Sequence, residues 1–242
     1  KIEGAVGEEI NQIRNLATAE ARMSGEEGVG KLEEAISTIV GGDLETARHL
    51  LGLPLVILGF FWMSLTFLPY LIVLVSHDIV NVEVRNRSAR FVLLRASRTA
   101  LLVGKMMSHG LLFLGVTVLS NVILFVYAWV SLPHFQPGSA ALLLLRILAL
   151  TMPLGFCWLA FTALLSSVID NGGVAMVVGG IALFVLSMLS MHDTVGFLSP
   201  SHYKLALWSP KWTTSLGGAG AYLAFGAVFL GGAWARMTWR DM

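Results

Sequence analysis

The sequence predicts an all-α, polytopic membrane protein with five visible spans, and three observations lead there. The 242-residue chain is 56% hydrophobic and only 13% charged, a balance outside that of soluble domains. From Leu51 onward, apolar runs recur that are each long enough for the roughly 20 residues a helical bilayer crossing needs. Between the first two runs lies a strongly basic stretch, HDIVNVEVRNRSARFVLLRASRTALLVGK (77–105), with Arg85, Arg87, Arg90, Arg95, Arg98 and Lys105 set against Asp78 and Glu83.

The chain opens differently. Residues 1–50 carry five basic and ten acidic residues, so the net charge of +1 conceals a strong segregation. Ile2, Val6, Ile10, Ile13 and Leu16 recur at helical spacing and predict an amphipathic helix. Ser24 and Glu27 have capping-box spacing for a second helix, with Val29, Leu32, Ile36 and Ile39 on one face. Gly41-Gly42 ends it, and Asp43 is placed to cap a short third piece running into the membrane. Residues 1–50 therefore read as a helical hairpin, and their acidic polar faces do not suit an anionic membrane surface. Gly25, Gly30 and Lys31 have the spacing of a phosphate-binding loop, but Leu32 occupies the magnesium-binding Ser/Thr place and no strand precedes, so the match is discarded.

From there the chain, 51–242, is a transmembrane bundle. Spans are expected at about 51–76, 101–130, 141–166, 172–191 and 218–236, separated by SLPHFQPGS, SSVIDNGG and a longer segment, 191–218, rich in turn formers. By the positive-inside rule the basic stretch is cytoplasmic. Counting from it puts the tail with Arg236 and Arg240 on the same side, and Tyr203, Trp208 and Trp212 at the outer interface. The same count puts residues 1–50 outside. That placement implies one further span before Lys1, and six spans in the full protein.

Few residues offer chemistry. Cys157 is the single cysteine, which excludes an intrachain disulfide or a cysteine metal cluster. His49, His77, His109, His134, His192 and His202 are scattered without metal-ligand spacing. Within the spans Arg146 is the main charge, expected to snorkel to the outer interface or to face an anionic substrate head group. The lack of intramembrane acids weighs against an ion-coupled transporter. Gly172, Gly173, Gly179 and Gly180, and a second set from Gly217 to Gly232, predict close helix packing.

Asp78, Glu83, Arg85, Arg90, Leu94, the pair Ser97-Arg98 and Gly104-Lys105, placed between two spans, resemble the signature of ABC exporter permeases of the type-2 superfamily. SSVIDNGG, LSPSHY before the last span and the ending Trp239-Arg240-Asp241 are similar too, while the long segment 1–50 departs from compact members. The resemblance, over about 51–242, implies a permease subunit that binds no cofactor. Two copies, identical or closely paralogous, would pair with two cytosolic ATP-binding-cassette subunits that hold ATP and Mg. It also implies that Glu83 to Arg98, within 77–100, form a coupling helix docking on the ATPase. Arg85, Arg87, Arg90, Arg95 and Arg98 would supply bidentate donors, and Phe91 to Leu94 an apolar anchor. Two alternatives remain: a membrane subunit that transmits motion to an extracytoplasmic partner through 1–50, and an ion-coupled secondary transporter. Nucleic-acid binding is not expected, because the basic residues are confined to a membrane-adjacent loop.

Overall fold

In a computed structural model the described residues are 43–51, 55–80, 97–131, 137–192 and 194–239. The hairpin expected over 2–42, its capping box, the discarded phosphate-loop spacing and most of the basic stretch, 81–96, lie outside them. Among the described residues the secondary structure is entirely helical: α1 (Leu44–Leu51), α2 (Leu55–Ser76), α3 (Arg98–Ser131), α4 (Pro137–Val168), α5 (Gly172–Leu189) and α6 (Trp212–Trp239). Two 3-10 turns, Gly196–Leu198 and Pro200–Trp208, join α5 to α6. Helices α2 to α6 are each long and apolar enough to cross a membrane. They are apolar on every face, as helices bathed in lipid and packed on one another must be.

Each expected span is present, with ends shifted by a turn or less in most cases. The largest differences are at α6, which starts six residues early at Trp212, and at the first span, where α1 is a separate helix before Leu55. Asp43 caps α1 as its position predicts. One carboxylate oxygen accepts from the backbone N–H groups of Glu45 and Thr46 (3.0 and 3.3 Å), and the other from the Thr46 hydroxyl (2.6 Å). The Thr46 hydroxyl bond, more than any other contact, holds the Asp43 carboxyl below its ordinary range. Ala47 and Leu50 are buried, so α1 is part of the bundle.

Helix α4 is the hub. It packs against α6, α3 and α2, and buries Leu144, Ile147, Leu150, Leu154, Cys157, Trp158 and Phe161. Its closest approach to α6 is made where a side chain is missing. A Cβ on Gly226 of α6 would sit 2.6 Å from the Phe156 ring and 3.2 Å from the Cys157 Cα of α4. Such small-residue contacts replace the hydrophobic effect as the source of helix association in lipid. The glycine sets divide accordingly: Gly179, Gly218, Gly226 and Gly232 face close neighbours, whereas Gly180, Gly217, Gly220 and Gly231 open on free space.

The segment 191–218, expected as an outer loop, is built in two 3-10 turns that pack against α5 and α6. Pro200, Leu207 and Trp208 are buried, and the Trp208 ring lies 4.8 Å from that of Phe61 in α2. Ser199 starts the longer turn, accepting from the Ser201 N–H (3.2 Å) and donating to the Leu186 carbonyl of α5 (2.7 Å).

Candidate coupling surface

The basic stretch emerges from α2 and re-enters at α3, and both junctions are fixed. After Ser76 the chain turns once, burying Ile79 and Val80. The Val80 N–H donates to the Ser166 hydroxyl near the end of α4 (2.9 Å). Asp78 is half-buried in this turn. At the other junction Ser97 caps α3, its hydroxyl accepting from the Ala100 N–H (3.1 Å). Arg98 crosses to α6 and donates to the carbonyls of Met237 and Thr238 (2.8 and 3.0 Å). These are orphan carbonyls of a helix C-terminus, where a cation also meets the negative end of the helix dipole. The Trp234 indole N–H adds a bond to the Thr99 hydroxyl (3.0 Å).

The Ser97-Arg98 pair thus serves the fold directly, since Ser97 begins α3 and Arg98 ties it to α6. Through one guanidinium nitrogen Arg98 binds its own chain there. Lys105 lies two turns along α3, half-buried, and its carbonyl receives the Ser108 hydroxyl (3.0 Å) and the His109 ring (3.1 Å). Glu83, Arg85, Arg87, Arg90, Phe91, Leu94 and Arg95 lie outside the described residues. On the same face Asn171 caps α5, its side-chain oxygen accepting from the N–H groups of Gly173 and Val174 (2.9 and 3.4 Å). The SSVIDNGG turn is therefore a compact cap beside the basic stretch.

The opposite face holds Arg146. Its guanidinium donates to the Ser209 carbonyl and to the Ser215 hydroxyl (3.1 Å) and lies 4.9 Å from the centre of the Trp212 ring. The Ser215 hydroxyl donates in turn to the Ser209 carbonyl (2.9 Å). Arg146 is a strut from α4 to the start of α6. Beside it, His49, Leu50, Phe61, Leu207 and Trp208 line a cavity of about 20 Å³, space for one water. Burial, then the nearby Arg146 charge, lowers the pKa of His49. On the surface, Lys211 pairs with Glu45 at 2.5 Å, and that bond raises the lysine's pKa. No described cluster of His, Cys, Asp or Glu could hold a metal ion.

Sequence reasoning missed Lys204. Its ammonium donates to the Thr66 hydroxyl of α2 at 2.6 Å, a contact across 138 residues that no local pattern announces.

No curated protein matches the sequence. A family profile described as "ABC-2 family transporter protein" matches residues 5–208, from the acidic segment to the end of the longer 3-10 turn. With five membrane-crossing helices and a match over most of its length, the chain belongs to the ABC-2 transporter family, as a multi-pass permease subunit.

Proposed function

We propose that this permease is the membrane half of an ATP-driven exporter. A separate cytosolic ATPase, carrying ATP and Mg, docks on the basic stretch, and two permease copies move a substrate outward between them. The observation that carries this reading is the anchoring of both described flanks of the basic stretch. Val80 is tied to the end of α4 and Arg98 to the end of α6. A load applied between those points reaches two transmembrane helices instead of dissipating in a slack loop. The density of arginines there supplies bidentate donors for acidic residues of a partner. In this orientation the tail at Trp239 is cytoplasmic, while α1 and the 3-10 turns face outward.

Co-purification with the accompanying ATPase tests the proposal. The native protein should retain the ATPase, and the double substitution Glu83→Ala with Arg90→Ala should lose it or leave it hydrolysing ATP without transport. Equal retention and equal transport by both proteins would overturn it.

A further inference from the structure

We propose that Lys204 binds the anionic head group, phosphate or carboxylate, of an amphiphilic substrate at the middle of the membrane. The inference rests on the permease reading and names its substrate class.

Depth is the first argument. Thr66, which holds the Lys204 ammonium, stands ten residues before the end of α2 at Ser76, or about 15 Å at 1.5 Å per residue. That is half of a hydrocarbon core of about 30 Å. Helix α6 fixes the backbone of the turn: the Tyr203 carbonyl and the Ala206 and Leu207 side chains lie against Gly218, six residues into α6. The Lys204 side chain therefore reaches inward from the outer part of the bundle to the level of Thr66. The turn is buried on one side at Leu207 and Trp208, and exposed on the other at His202 and Leu205.

Charge is the second argument. An ammonium has three donors, and the Thr66 hydroxyl takes one. No carboxylate among the described residues pairs with Lys204. A cation within the membrane is costly and marks a candidate binding pathway. Arg146, by contrast, has two oxygen acceptors and an aromatic ring from its own chain.

Shape is the third. One residue beyond Thr66 begins an apolar groove of about 300 Å³ between α2 and α5, lined by Phe67, Tyr70, Leu71, Val73, Met176 and Leu183 among others. Tyr70 stands one turn from Thr66 on the same helix face. A head group at Lys204 would leave its acyl chain beside this groove. A compact ammonium suits a phosphate or carboxylate as a point charge.

The test uses the purified permease with its ATPase, in phosphatidylcholine nanodiscs supplemented with either phosphatidylglycerol or oleate. Bound amphiphile is read by native mass spectrometry and ATP hydrolysis alongside it. The native protein should retain phosphatidylglycerol, oleate or both, which separates phosphate from carboxylate recognition. Retention should persist in Lys204→Arg, fall about tenfold in Lys204→Met, and fall less in Thr66→Val. Labelling of the buried Cys157 thiol reports whether each variant is folded; if Lys204→Met is not, Lys204→Gln and Thr66→Val decide. Undiminished retention in a folded Lys204→Met protein, or none in the native protein, would overturn the proposal. Failure of any ATPase to associate would remove the exporter reading while the binding series still judges Lys204.

Discussion

Helices α3 and α4 are the two longest in the bundle, 34 and 32 residues, and both are apolar over most of their length. Their fates differ: 44% of the apolar span of α4 is buried, against 22% for α3. In water, hydrophobicity would draw both inward. In lipid the tails outside are as apolar as the protein inside, and close fit decides instead. Helix α4 offers fit: Gly155 receives the Phe113 ring of α3, and Phe156 enters the space left by Gly226 of α6. On α3 the glycines 104, 110 and 115 face open space.

The sharpest way to break this contrast is at Gly226. Gly226→Leu forces a side chain into the Phe156 ring and should destabilise by about 3 kcal/mol, whereas Gly115→Leu should be nearly silent. Thermal unfolding in detergent, followed by a thiol-reactive dye on Cys157, measures both, since that single thiol is fully buried in the fold. Comparable melting of the two variants would dissolve the distinction. Next, Leu154→Ala, at a fully buried position, should cost about 2.5 kcal/mol. Leu119→Ala, 60% exposed on α3, should cost little.

Arg98→Met tests the bridge by which the start of α3 holds the end of α6. Loss of its two carbonyl bonds should cost about 1.5 kcal/mol, with partial recovery in Arg98→Lys. A full-strength bundle without Arg98 would show that the bridge is idle. The smallest effect belongs to pH. His49 has a folded pKa below its unfolded value, so it resists protonation in the fold. The stability it permits is intact above about pH 6.5 and declines as pH falls through that unfolded value. A pH series of melting temperatures should show this decline, and His49→Gln should flatten that part of the curve.

The spans were legible because uninterrupted apolar length has few other meanings, and the Asp43 cap because a cap is local chemistry. Arg146 was legible as a charge inside an apolar span, but its two serine partners were not. What the sequence hid was the 3-10 segment. Ser199, Pro200, Ser209 and Pro210 are turn formers, and turn formers read as surface. Nothing nearby signals that Trp208 meets Phe61 or that Lys204 meets Thr66, because both contacts join positions more than 130 residues apart. The two anchors of the basic stretch escaped notice for the same reason: Ser166 and the carbonyls of Met237 and Thr238 are distant in sequence and ordinary in type.

Helix α6 touches both halves of this arrangement. Its last turn is gripped by Arg98, while Gly218, near its other end, is pressed against Ala206 and Tyr203. At 28 residues it measures about 42 Å, and it has no internal proline to act as a joint. Such a rod does not absorb an axial push; it delivers it. Under the proposed coupling, a displacement of the basic stretch would therefore move the segment carrying Lys204 in the same stroke, with no separate signal passing between them.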